Sequence, residues 1–128
     1  MKTQQLIISA LLAALALTIS GCVVAVVGAG AAAGVGYIRG DLEATLEDDV
    51  EDVYKASLRA LNELDLAVIS KQQDALGAKI VSRNSEDKKI QVKLKQTEGG
   101  ITKLTIRIGV FGDETQSRLI YDKIKENL

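Results

Sequence analysis

The chain has 128 residues, with sixteen Lys and Arg against seventeen Asp and Glu, one cysteine, and no histidine, tryptophan or proline. A single cysteine excludes an intrachain disulfide framework, and without histidine the commonest general base and transition-metal ligand are both missing. One phenylalanine and three tyrosines offer little stacking surface for bases or sugars, so nucleic acid is not an expected partner and no cofactor or metal is implied.

Charge divides the chain. Lys2 and Arg39 are the only charged side chains before Asp41, whereas from Asp41 onward fourteen Lys and Arg meet seventeen Asp and Glu, a net of −3. The expected organisation is therefore a leader over residues 1–21, a Gly/Ala-rich tether over 22–40 and a soluble domain over 41–128. A domain of that size has one modest core, burying roughly 60–65% of its unfolded surface.

Lys2 supplies a short positive start and residues 6–17 an apolar run. A basic start, a short apolar stretch and small residues after it describe a secretory signal peptide, and the run is too short to span a bilayer. It leads into Ile19-Ser20-Gly21-Cys22, which resembles a bacterial lipobox: an aliphatic residue, two small residues and a cysteine. Small residues let a peptidase approach extended backbone, and the thiol is the nucleophile suited to take up a diacylglyceryl group. The resemblance implies cleavage before Cys22, acylation of Cys22 on sulfur and on its new amino group, and membrane lipid as partner. Two or three acyl chains anchor stably where one does not. Position 23 is Val rather than Asp, which in similar lipoproteins directs the product to the outer membrane, facing the periplasm.

Residues 23–38 form a second apolar run rich in small residues. As a helix it would reach about 24 Å, short of the hydrocarbon core. Gly30 and Gly34 sit four apart, as do Gly28, Ala32 and Gly36, ridges suited to close helix packing in lipid. Interior glycines equally favour a flexible tether. Left uncleaved, residues 6–38 would be one long anchor, a reading the lipobox opposes.

In the charged part, Thr45-Leu46-Glu47-Asp48 matches a capping box. Leu46, Val50, Val53, Ser57, Leu61 and Leu64 follow at helical spacing, predicting a helix over 46–64. Strands are expected over 66–69, extending toward 72, and over 78–83, separated by a turn at 74–77. Then Ile90, Val92 and Leu94 alternate with Gln91, Lys93 and Lys95, and Leu104, Ile106, Ile108 and Val110 alternate with Lys103, Thr105 and Arg107. For both apolar sets to share one face, Leu94 must oppose Leu104 and Val92 oppose Ile106, which a three-residue loop Glu98-Gly99-Gly100 allows with Gly100 left-handed. Asp113, with Gln116 three residues on, caps a last helix that buries Ile120 and Ile124. The expected fold is α+β: helix, four-stranded antiparallel sheet, helix, with both helices on one face.

The stretch Gly109-Val110-Phe111-Gly112-Asp113-Glu114, followed by Ser117-Arg118 and Ile124, resembles a family of small bacterial lipoproteins of unknown function. So does Tyr54-x-x-x-Leu58-x-Ala60-Leu61. The resemblance covers most of the chain from Gly36 onward, besides the lipobox, and implies an envelope location and this fold. It brings no catalytic residues.

Several clusters hold residues that could build a site. Glu47-Asp48-Asp49 with Glu51 and Asp52 lacks the glycine and spacing of a calcium loop and reads as a solvated helix start. The glycines from Gly109 to Gly112 precede Asp113 and Glu114, acids standing where an anion would sit. Tyr54 and Tyr121 lie beside apolar stripes and read as packing, and Ser57 has no histidine to activate it. What stands out is a basic sheet face of Lys93, Lys95, Lys103 and Arg107, with Lys95 opposed to Lys103, a like-charge pair that costs stability unless an anion relieves it. The expectation is a lipid-anchored envelope protein with a non-enzymatic binding or structural domain, its partner an envelope protein or anionic polymer. The alternatives are direct binding of anionic lipid or envelope polymer through that face, and a carboxylate-based hydrolase.

Overall fold

The computed structural model describes residues 1–7 and 34–128. Residues 2–7 are helical. The lipobox, Cys22 and most of the second apolar run lie outside the described residues. The chain divides into two compact units, Met1–Gly34 and Val35–Leu128. In the described part no helix is long and apolar enough to cross a membrane.

The second unit runs β1 (Val35–Ile38), β2 (Asp41–Leu46), α1 (Val50–Glu63), β3 (Ala67–Gln73), β4 (Gly77–Arg83), β5 (Lys89–Gln96), β6 (Thr102–Ile108) and α2 (Glu114–Glu126). Its strands form one antiparallel sheet in the order β1-β2-β6-β5-β4-β3. The four-stranded expectation is thus corrected: the sheet has six strands, and the α+β class stands. Both extra strands precede the first long helix. β2 was concealed because Thr45 and Leu46 satisfy a capping motif, yet Leu42, Ala44 and Leu46 alternate and pair with β6. That pairing draws Leu46 out of the predicted helix and Thr45 out of its capping motif. β1 was concealed by its continuity with the small, apolar residues before it.

The β1–β2 hairpin turns on Arg39 and Gly40, with φ of 55° and 89°. This is the pair of positive φ values that a primed two-residue turn requires. Arg39 carries the strain of a non-glycine residue in the left-handed region.

The β5–β6 register follows the parity argument. Leu94 faces Leu104 and Val92 faces Ile106, and the Thr97 N–H donates to the Ile101 carbonyl at 2.7 Å across Glu98-Gly99-Gly100. Gly99 and Gly100 both have φ of 74°, so the loop uses two left-handed glycines where one was expected.

One face of the sheet is the core. Leu42, Ile80, Ile90, Val92, Leu104 and Ile106 are fully buried there. Both helices pack against it and each other, contributing Val53, Ala56, Ala60 and Leu61 from α1 and Ile120 and Ile124 from α2. Tyr54 and Tyr121 pack at the margin of this core. α1 starts at Asp49, whose side chain makes no capping bond, with Glu51 and Asp52 in the first turn where the helix dipole favours acids. Its entry is held instead by the Thr102 hydroxyl donating to the Asp48 carbonyl at 2.7 Å. α2 has the side-chain cap expected, Asp113 accepting from the Gln116 N–H at 3.0 Å. The Ser57 hydroxyl donates to the Val53 carbonyl at 2.7 Å within its own helix.

Candidate functional site

The second face of the sheet has no helix of this unit upon it. Its residues follow from the register, since opposed positions share a face. One row runs Glu43, Thr105, Lys93, Lys79 and Gln72; on one side of it lie Thr45, Lys103 and Lys95, and on the other Asp41, Arg107, Gln91 and Val81. Arg83 and Lys89 end the face at the β4–β5 turn. Seven of the chain's sixteen Lys and Arg therefore stand on this face against two of its seventeen Asp and Glu. A chain of net charge −1 presents one face of about +5.

The four residues expected to form a basic surface are brought together, but they divide by role. Lys93 and Lys95 are exposed and make no ion pair with any described residue. Lys103 reaches Glu43 at 3.2 Å, so the opposed Lys95 and Lys103 are partly relieved by an acid on the next strand. Arg107 is half-buried and structural. Its guanidinium donates to Asp41 Oδ1 at 2.8 Å, the Arg39 carbonyl at 3.1 Å and the Val110 carbonyl at 2.6 Å, tying the β1–β2 turn to the loop after β6.

Lys79 was missed. It stands opposite Lys93, making a second like-charge pair, and it too lacks an ion pair among the described residues. The alternation of Lys79, Val81 and Arg83 about Ile80 and Ser82 carried the signal, but only the β4–β5 register turns it into a shared face. Along the β3–β4 hairpin, Gln72, Lys79, Lys93 and Lys95 line a shallow trough of about 460 Å³ beside Gly77 and Leu76. Gly77 permits close strand approach there: a Cβ would lie 2.6 Å from the Leu94 carbonyl oxygen.

The helices handle their charges differently. Lys55 meets Glu51 at 2.8 Å, Arg118 meets Glu114 at 2.8 Å and Lys123 meets Glu126 at 2.6 Å, all within one turn. Hydrogen bonding to Lys55 holds the Glu51 carboxyl below its ordinary pKa, and the same bond holds Lys55 above its own. Burial raises the Tyr121 hydroxyl. These helix charges pair within one turn, whereas Lys79, Lys93 and Lys95 on the sheet pair with no described residue.

At one end of the basic face, Arg83, Lys89, Gln91, Arg107, Val110 and Phe111 border a groove of about 630 Å³. The Gly109–Gly112 stretch forms its wall. Gly112 (φ 84°) packs against the Gly40 backbone and the Tyr37 hydroxyl, where a Cβ has no room. Val110 and Phe111 project from this braced loop at 77% and 91% exposure, with Ile38 beside it at 59%. Among the described residues no three Cys, Asp or Glu side chains converge as a metal site needs.

A protein-family profile described as "Protein of unknown function (DUF3568)" matches residues 5–127. No curated protein matches the chain.

Proposed function

The chain belongs to this DUF3568 family, and we propose that it is a cell-envelope lipoprotein held to the membrane through Cys22, with a non-enzymatic domain that presents its basic sheet face to an anionic partner. The anchoring part of this reading rests on Ile19-Ser20-Gly21-Cys22 following a basic start and a short apolar run. The family match runs from residue 5 to 127, so the profile spans residues 19–22 as well as the charged domain. Val23 after the cysteine favours the outer membrane.

The observation that carries the binding reading is the segregation of charge on the uncovered face. Lys79 opposite Lys93 and Lys95 opposite Lys103 cost the isolated domain stability. An anion laid across them converts that repulsion into attraction. The charges sit on strands in a fixed register, so their spacing is set before any partner arrives.

The decisive test is the intact mass of the protein purified from bacterial membranes, beside a Cys22→Ala variant. The expected mass is that of a chain beginning at Cys22 with acyl groups added, and the variant should lack them. A full-length mass without acyl groups would overturn the anchoring half of the proposal.

A further inference from the structure

We infer that the basic face docks flat on the anionic surface of the bilayer to which the protein is anchored, with Ile38, Val110 and Phe111 entering the lipid at one end. The inference rests on the lipoprotein reading, because tethering is what keeps bilayer and face together. Val35 lies thirteen positions after Cys22, so even fully extended chain confines the start of the domain to about 45 Å from an acylated Cys22.

Three observations select a bilayer over a charged polymer or a protein. The cations are spread in rows over three adjacent strands, β6, β5 and β4, and of them Lys79, Lys93 and Lys95 are free of ion pairs with described residues; a plane of headgroups satisfies such a spread without a specific register. Second, the apolar tip belongs to the same face. Val110 and Phe111 wall the groove whose other sides are Arg83, Lys89, Gln91 and Arg107, and Ile38 shares a row with Asp41 and Arg107. A soluble polyanion has no use for the only phenylalanine of the chain at 91% exposure; a bilayer offers an anionic plane with an apolar layer just beneath it. Third, the tip is braced before contact. Arg107 binds the carbonyls of Arg39 and Val110, and Gly112 is locked against Gly40 and Tyr37. Little ordering therefore remains to oppose insertion.

The acids on the face do not defeat this arrangement. Asp41 and Glu43 are held by Arg107 and Lys103 at 2.8 and 3.2 Å, and both lie on β2, away from the unpaired lysines.

The chain has no tryptophan, so Phe111→Trp gives a single fluorescent reporter at an exposed position. The full-length acylated variant is reconstituted into vesicles of phosphatidylcholine alone, or with phosphatidylglycerol, and its acylation is checked by mass. Docking predicts blue-shifted emission and quenching by brominated lipid in the anionic vesicles only. Adding Lys93→Glu and Lys95→Glu should reverse both signals, each change weakening docking by about fivefold or more. Emission that stays that of exposed tryptophan in both vesicles overturns the inference. If that result comes with retention on immobilised polyphosphate that the two lysine changes abolish, the anionic-partner reading survives and the bilayer does not. An unacylated mass is a failure of the lipoprotein reading, seen before any fluorescence is measured.

Discussion

On the inner face of the sheet Leu42, Ile106, Val92 and Ile80 stand in one row, each fully buried. The parallel row on the other face runs Glu43, Thr105, Lys93 and Lys79 and is left to solvent. The same strands build both, one residue out of step. Apolar side chains in the inner row need only fill space beneath two helices, and each gains from its neighbours. In the outer row, neighbours repel at Lys79 and Lys93, so stability does not explain its composition. The inner face accounts for why the domain folds, and the outer face for what it meets.

Ile106 and Arg107, adjacent in β6 and opposite in facing, test this division most severely. Ile106→Ala empties a site with no exposure and should cost about 3–4 kcal/mol in denaturant unfolding. A cost below about 1 kcal/mol would mean that the inner face is not the core described. Arg107→Ala should cost less, about 1–2 kcal/mol, because its charge-assisted bonds are partly exposed. Its effect should be local: faster amide exchange from residues 109 to 112 and in the Arg39–Gly40 turn, with the β4–β5 amides unchanged. Uniform acceleration across the sheet would show that Arg107 supports the fold generally and does not brace the tip.

Helix α2, packed on the inner face, carries a polar misfit. The Ser117 hydroxyl is fully buried with no hydrogen-bond partner among the described residues. Ser117→Ala removes an unsatisfied group and adds a better helix former, so it should stabilise the domain by about 1 kcal/mol. A loss of stability instead would reveal a partner for that hydroxyl.

How much of this was legible follows from the range of each signal. The β5–β6 hairpin was readable down to its pairs because Leu94 and Leu104 are joined by a short loop, and parity leaves one register. The Asp113 cap was readable because its acceptor lies three residues away. β2 was not, because its partner β6 lies some sixty residues on, and local pattern preferred the capping motif at Thr45. The basic face was half legible: Lys93, Lys95, Lys103 and Arg107 came from one hairpin, while Lys79 needed a pairing that alternation alone does not specify. That Arg107 is a clamp was not legible at all, since two of its acceptors are backbone carbonyls brought near only by the fold.

The smallest effect separates the two faces most sharply. Lys93→Glu places an acid opposite Lys79 and beside Lys95 in the same strand, converting repulsion into attraction without touching the core. It should stabilise the isolated fold by about 0.5 kcal/mol, more at low salt and less at high salt, because exposed charges a few ångströms apart are still screened. The same change should weaken any hold on an anionic partner. Opposite signs for stability and binding would mean that lysine is kept at this position at the fold's expense. Were Lys93→Glu to destabilise the domain, the lysine row would be contributing to the fold itself, and the outer face would lose its claim to be a surface shaped by what it meets.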